Sequence, residues 1–262
     1  MRTGHIIALA NFAVACLTTV YPSLAQTGPK PPAQKIDERV RSMMDDMIAG
    51  YKAQTTLQEK VSFKFTSNVP EMTPEVIPIE FVLKIQKPNK LALAWSEKGK
   101  SGVVRKQIIS DGATETDFNE DTNTYFQSKA PLGLPAAPAV LNVPEFELLF
   151  NGRDPFINLH IPSQLLKVGD PVKIGEFDCD VLIGTVTQPA LNLTASLRLS
   201  IAKKDHLIRS MVFEGNGGTA DKPIKFKYEA LYTVTLLPVL TESDFSFTPP
   251  PGAKLQTNGK KP

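Results

Sequence analysis

Residues that carry most enzyme and metal chemistry are scarce in this sequence. Only three of its 262 residues are histidine and two are cysteine, and none lies at a spacing typical of a zinc site. The Gly-x-Ser-x-Gly turn that presents a nucleophilic serine is also missing. We therefore predict a protein that is not an enzyme and that uses no metal ion and no cofactor. An enzyme would require His160 or His206 to lie beside a carboxylate in a cleft.

The sequence also lacks an excess of charge of either sign. Its formal net charge is +2 at pH 7, and 21% of its residues are charged. A nucleic-acid interface or a surface for anionic membranes needs clustered basic residues, which this balance does not provide. We therefore predict no nucleic-acid partner, and we expect a monomer.

The first 25 residues have the pattern of a signal peptide. Arg2 supplies a positive start, the segment 6–20 is mostly apolar, and Ser23–Ala25 provides small residues for signal peptidase. We predict cleavage before Gln26, export to the periplasm and no transmembrane segment afterwards. An uncleaved anchor would need about 18 clean apolar residues, which the segment does not reach.

Cleavage would leave one cysteine, so no disulfide could form within the chain. Cys16 follows a poor version of a lipoprotein acylation box, and a lipid anchor there is a less favoured alternative. On a strand, Asp178 and Asp180 would project to one side and Cys179 to the other. This pattern is typical of a buried structural cysteine rather than a nucleophile.

Residues 26–34 are rich in proline and predict a flexible linker, residues 35–254 a single domain and residues 255–262 a disordered tail. The domain begins with an amphipathic helix, because apolar residues recur at three- and four-residue spacing. These positions are Ile36, Val40, Met43, Met44, Met47, Ile48 and Tyr51. The methionines are either a pliable lining for a ligand or ordinary helix core.

Most of the remaining chain alternates between apolar and polar residues, which is typical of half-buried strands. The alternation is clearest in residues 77–95, 191–201 and 224–236. Strands with one solvent-exposed face are typical of antiparallel sheets. We predict a mainly β (α+β) fold in which a single strongly curved antiparallel sheet of about nine to eleven strands forms an incomplete β-barrel. The N-terminal helix and a helical lid insertion would cover it.

Three connections complete this prediction. Residues 97–101 are interpreted as a solvated turn, and the glycines in residues 215–218 as a turn between strands. The insertion at residues 130–150 is apolar and broken by prolines, and it ends in a short helix that carries Phe146, Leu149 and Phe150. This insertion is either a movable lid or a fixed plug.

Five short segments carry a resemblance to a known family: Met47–Lys52, Gln86–Leu91, Ser110–Gly112, Gly175–Asp180 and Asp244–Ala253. Together they resemble a family of predicted bacterial periplasmic proteins of unknown function. The family is similar in fold to the outer-membrane lipoprotein carrier LolA and the sensor RseB. The resemblance implies an incomplete antiparallel barrel whose concave apolar face is covered by helices and holds acyl chains or another lipid.

These observations predict a LolA-like protein of the bacterial envelope that binds an apolar ligand, either a lipid or a lipoprotein acyl chain, as a carrier or chaperone. The alternative is a non-enzymatic sensor or scaffold that binds a protein partner in the envelope. The predicted hydrophobic lining consists of Phe63, Phe65, Phe81, Leu83, Leu93, Trp95, Met44 and Met47.

Overall fold

A computed structural model describes residues 36–68, 77–99, 102–133, 166–188, 192–219 and 221–256 of the chain. The predicted signal peptide, with Cys16, and the predicted linker lie outside these residues. So do His160 and the three predicted lid residues, Phe146, Leu149 and Phe150. What the sequence indicates for those segments therefore stays a prediction.

Within the described ranges the chain forms one α-helix, twelve β-strands and a 3-10 helix at Glu242–Phe245. The helix is α1 (Glu38–Ala53). The strands are β1 (Thr56–Ser67), β2 (Ile77–Gln86), β3 (Lys90–Gly99), β4 (Gly102–Ser110), β5 (Thr114–Asn119), β6 (Thr124–Lys129), β7 (Leu166–Ile174), β8 (Phe177–Gln188), β9 (Leu193–Ala202), β10 (Ile208–Thr219), β11 (Lys222–Leu236) and β12 (Lys254–Leu255).

All twelve strands belong to one sheet, in the order β12-β6-β5-β4-β3-β2-β1-β11-β10-β9-β8-β7. Neighbours from β1 to β6 and from β7 to β10 pair antiparallel, whereas the short β12 pairs parallel to β6. The sheet ends at β12 and β7 and does not close on itself. The predicted mainly β fold of the incomplete-barrel class is therefore confirmed.

Contacts divide the chain into two compact units. The helix unit, named for α1, contains the described residues among 36–51, 64–68, 166–188, 192–219 and 221–229. The hairpin unit, named for β2 and β3, contains those among 52–63, 77–99, 102–133 and 230–256. Each unit is described below by itself.

In the helix unit, α1 buries one stripe of side chains spaced by four, three and four residues: Val40, Met44, Met47 and Tyr51. Its C-terminal end lies on the turn between β9 and β10. A Cβ atom added to Gly50 would lie 2.8 Å from the carbonyl oxygen of Asp205, so glycine permits this approach. The Tyr51 hydroxyl accepts a hydrogen bond from the Ile208 N–H at 3.3 Å. The predicted amphipathic helix is confirmed.

Cys179 on β8 is fully buried, as the predicted structural cysteine should be. Burial raises the pKa of the Cys179 thiol, which keeps it in the unreactive protonated form. Nearby, the Arg209 guanidinium pairs with Asp205 and lies 4.1 Å from the centre of the Phe177 ring. These contacts explain how a guanidinium that is only 2% exposed is accommodated in the core of the unit.

The predicted turn at residues 215–218 is wrong, because these glycines lie within β10. A Cβ atom on Gly215 would lie 2.5 Å from Cε1 of Phe226, and one on Gly217 would collide with the backbone of Asn192. Glycine within a strand often marks a close approach by another group. The glycines here make room for a ring and for a neighbouring backbone rather than for a change of direction.

We expect Gly217→Ala to lower the free energy of unfolding by about 1–3 kcal/mol, because the backbone of Asn192 must move to admit a methyl group. Urea denaturation measures this change. Gly133→Ala is the matched control, because no residue of the described ranges lies within 4 Å of its added Cβ atom. Equal stabilities of the two variants would contradict the close approach.

Candidate functional site

In the hairpin unit, one side of the sheet carries a broad surface of mostly large apolar side chains, called the apolar face below. The register places Phe81 opposite Val61 on one side and Trp95 on the other, and it places Leu83 opposite Leu93. The buried apolar residues of this face are Leu57, Val61, Phe81, Leu83, Ile85, Leu91, Leu93, Trp95 and Ile108.

The structure brings five predicted lining residues together on this face: Phe63, Phe81, Leu83, Leu93 and Trp95. Phe81 and Leu83 have no exposed surface, and Leu93 is 1% exposed, so these three are packed core. Phe63 is half-buried, and its ring centre lies 5.6 Å from that of Phe81. Phe63 is therefore the most accessible of the five.

The other three predicted lining residues belong to the helix unit. Phe65 is half-buried on β1, whereas Met44 and Met47 lie in the buried stripe of α1. Burial of both methionines is expected if they belong to the ordinary core of the helix. Their role in holding a ligand, like that of the other lining residues, stays a prediction.

The apolar face ends in a buried polar group that the sequence did not predict. Glu97, expected in a solvated turn, lies in β3 and is only 3% exposed. Its carboxylate accepts a hydrogen bond from Trp95 Nε1 at 3.1 Å and pairs with Lys106 Nζ at 2.5 Å. Both carboxylate oxygens therefore have a partner, which offsets the cost of burial.

Alternation alone could have located this carboxylate. Residues spaced by two share a face, so Leu93, Trp95 and Glu97 point to the same side of β3. Glu59 and Glu115 are also buried on this side of the sheet, where the register places Glu59 opposite Leu83. The apolar face therefore contains acidic side chains that composition did not reveal.

The opposite side of the hairpin unit, called the second face, is crossed by residues 241–256, which we call the C-terminal strap. Lys84 points away from the side of Phe81, and its Nζ donates to Asp244 Oδ1 at 2.6 Å. Lys90 pairs with Glu242 at 2.5 Å. These ion pairs hold the start of the strap on the sheet.

Aromatic contacts and a short strand hold the rest of the strap. The ring of Phe247 lies 5.6 Å from that of Phe118 and 5.2 Å from that of Tyr125. Beyond it, Leu255 pairs with Tyr125, and the N–H of Gln256 donates to the Tyr125 carbonyl at 2.9 Å. Leu255 and Gln256, which were predicted to begin a disordered tail, therefore lie in and beside β12.

The strap is expected to loosen in acid. A hydrogen bond from Lys84, together with bonds from the N–H and hydroxyl of Thr241, lowers the pKa of Asp244 from 3.8 to about 2. A carboxyl group whose pKa is depressed by folding stabilises the fold above its unfolded pKa. This contribution is lost as the pH falls from about 4 to about 2.

The thermal midpoint of Asp244→Asn, measured from pH 5 to pH 2, tests this expectation. The wild-type chain should be more stable than the variant at pH 5, and the gap between their thermal midpoints should narrow towards pH 2. A gap that stays constant over this range would contradict the role assigned to Asp244.

Besides a cleft of about 250 Å³ beside Val103, Arg105 and Glu120, two larger clefts open on the described surface. The first, of about 370 Å³, lies on the second face of the hairpin unit beside Phe118 and Pro250. The other, of about 730 Å³, lies in the helix unit among polar side chains of β1 and β9–β11, such as Thr194, Glu214 and Lys225. Neither cleft was predicted from the sequence.

The described residues contain no group of three or more His, Cys, Asp or Glu side chains placed to hold a metal ion. Within the same part of the chain, no helix has the length and apolarity needed to cross a membrane. His206 lies in the turn between β9 and β10, next to the end of α1.

The fold defines a mainly β protein with one large open sheet and one helix in its described part. No model of a protein family matches the chain, and no curated protein matches it significantly. Among solved structures, an uncharacterized conserved protein from Thermus thermophilus matches with a TM-score of 0.41 and 12% identity, covering 84% of this chain and 99% of that one.

Two further solved structures are similar to the chain. Lipoprotein LppX of Mycobacterium tuberculosis has a TM-score of 0.39 and 12% identity, with 75% of this chain and 94% of that chain covered. A DUF1329 family protein from Desulfovibrio piger has a TM-score of 0.22 and 10% identity, with 79% and 97% covered. Likenesses of this size carry no inference about function.

Proposed function

We propose that this protein is exported to the periplasm and binds an apolar ligand, either a lipid or a lipoprotein acyl chain, on the apolar face of the hairpin unit, as a carrier or chaperone. The observation that supports this proposal best is the apolar face itself. It extends across β1, β2, β3 and β4, and its Phe63 ring remains partly accessible.

The hydrophobic effect is large enough for this role. Removing about fourteen methylene groups from water contributes about 11 kcal/mol, at roughly 0.8 kcal/mol for each group. Association and ordering of the chain cost several kcal/mol of this gain. Several kcal/mol of binding free energy remain, which is enough for useful affinity.

Burial indicates where a ligand makes its first contact. Leu83 and Leu93 are packed, so an acyl chain reaches them only by displacing neighbouring groups. Phe63 is half-buried and touches the fully buried Phe81. We therefore place the entry of the ligand at Phe63, from which it extends towards Phe81.

Native mass spectrometry tests the proposal. The chain is exported to a bacterial periplasm with its own N-terminus and purified without detergent. We expect an additional mass that extracts into organic solvent as lipid. The mass should be lost in Phe63→Glu, because the substitution places a charge at the entry, and kept in the matched control Ser62→Glu. Ser62 is exposed and points to the second face.

A chain that carries no additional mass and takes up neither palmitate nor phosphatidylglycerol would overturn the proposal. So would equal lipid content in the two glutamate variants. Circular dichroism of both variants establishes that each is folded.

A second candidate function is a sensor or scaffold that binds a protein partner in the envelope. Four apolar side chains near the end of β11 support it, because each is at least 39% exposed: Leu231, Leu236, Leu237 and Val239. Crosslinking in the periplasm would then capture a defined partner, and the purified chain would carry no lipid.

A further inference from the structure

The cleft on the second face of the hairpin unit exists because one strand carries small side chains there. The register aligns Val82, Ala94, Gln107 and Phe118 across β2, β3, β4 and β5. Ala94 leaves a gap between larger neighbours, and Pro250 of the C-terminal strap lines the same cleft. Its volume of about 370 Å³ is within the range of small-molecule sites, roughly 300–1,000 Å³.

The two ends of this cleft differ in chemistry. Val82, Phe118 and Pro250 make one end apolar, whereas Arg105 and Glu120 line the polar end. The backbone N–H of Glu120 donates to the carbonyl of Arg105 at 3.1 Å, so the two residues are neighbours. The lining therefore combines an apolar wall with the guanidinium of Arg105 and the carboxylate of Glu120.

Other charges of the lining are already neutralised. Glu80 pairs with Lys60 at 3.1 Å, and the ammonium of Lys106 pairs with the buried Glu97. Within the described part of the chain, Arg105 and Glu120 form no ion pair, either with each other or with another residue. One positive and one negative group are therefore available to a ligand.

We propose that this cleft binds a small zwitterion with an apolar side group, of the chemical class of a short apolar peptide. The planar guanidinium of Arg105 suits a carboxylate, with which it forms two parallel hydrogen bonds. The carboxylate of Glu120 accepts hydrogen bonds from the ammonium group of the ligand, and the apolar side group of the ligand lies against Val82 and Phe118. The site is on the side of the sheet opposite Phe81, so it is independent of the proposed acyl-chain site.

The dipeptide leucyl-leucine, in four forms, tests the charge requirement. These forms are the free dipeptide, its N-acetyl derivative, its C-terminal amide and the dipeptide blocked at both ends. Binding is followed by the NMR shifts of the backbone amides of Gln107 and Phe118, two residues of the cleft lining. We expect the free dipeptide to bind best, and each block to weaken binding by roughly tenfold.

Two variants test which charged side chain of the cleft binds which end of the dipeptide. Arg105→Gln should bind the free dipeptide and its C-terminal amide equally, since the carboxylate has lost its partner. Glu120→Gln should bind the free dipeptide and its N-acetyl derivative equally. The control Arg198→Gln removes an exposed arginine on β9 and should leave the wild-type order of affinities unchanged.

A third variant tests the place of binding. Ala94 is exposed on β3, so Ala94→Leu fills the cleft without disturbing the core, and it should abolish binding of all four forms. Circular dichroism checks its fold. Binding that survives in Ala94→Leu, tightest binding of a blocked form, or no binding of any form to the wild-type chain at about 10 mM would overturn the proposal.

Discussion

Phe81→Ala is expected to lower the free energy of unfolding by about 3–5 kcal/mol, the largest effect among the substitutions proposed as tests. The ring has no exposed surface, lies opposite Val61 and Trp95, and contacts the ring of Phe63. Truncation removes apolar burial and leaves a cavity that neighbouring strands fill only partly. Urea denaturation with an unchanged m-value measures the loss.

Val82→Ala is the matched control for this prediction. Val82 adjoins Phe81 in β2 but points to the second face and is half-buried. We expect its truncation to cost about 1 kcal/mol, in proportion to the smaller apolar surface that it buries. A loss for Phe81→Ala as small as that of the control would mean that the apolar face is open in solution rather than packed.

The same burial decides which variants can report on ligand binding. A charged side chain at Phe81 or Leu93 would be buried without a partner, at a cost of several kcal/mol. Such variants are expected to unfold, and loss of lipid from them would say nothing about the site. Phe63, which is half-buried, is the position where a charge can be tolerated.

The second largest effect is expected for Lys106→Met, which should lower the free energy of unfolding by about 2–4 kcal/mol. This substitution leaves the buried carboxylate of Glu97 with the indole N–H of Trp95 as its remaining partner from this cluster. An uncompensated buried charge is costly, although the side chain of Lys106 is 31% exposed, so solvent screens part of the effect.

A double-mutant cycle separates the ion pair from other losses. Glu97→Gln removes the charge and keeps an oxygen for Trp95, so adding it to Lys106→Met should recover part of the lost stability. Lys60→Met serves as the control, because the Lys60–Glu80 pair is exposed and should contribute about 0–1 kcal/mol. Equal losses for the two lysine variants would contradict the buried ion pair.

Strands with regular alternation were predicted correctly, and those without it were missed. The apolar positions of β9 that the pattern indicated, from Leu193 to Ile201, are all buried, and Ser200 is buried as well. By contrast, β5 has the sequence Thr-Glu-Thr-Asp-Phe-Asn, and β7 is interrupted by Gly169 and Pro171. Both strands are specified by pairing with their neighbours, because their own sequences carry little β signal.

Sites that depend on contacts distant in the chain could not be predicted. The hydrogen bond from Lys84 to Asp244 joins residues 160 positions apart, and it places the C-terminal strap on the second face. The cleft beside Ala94 depends on that placement, since Pro250 lines it. Glu97 is a different case, because alternation with Trp95 places it on the apolar face. It was misassigned because a carboxylate usually marks the surface, and only its two partners make its burial favourable.

The sequence by itself determined that the chain forms half-buried antiparallel strands and one amphipathic helix. Side chains repeat on the same face every two residues in a strand and about every 3.6 residues in a helix, so the spacing of apolar residues identifies each element. Only the tertiary structure decided that Phe81, Leu83 and Leu93 are packed core and that the strap covers the other side of the hairpin unit. The physical reason is that periodicity is local, whereas the covering of a face depends on contacts between residues far apart in the chain.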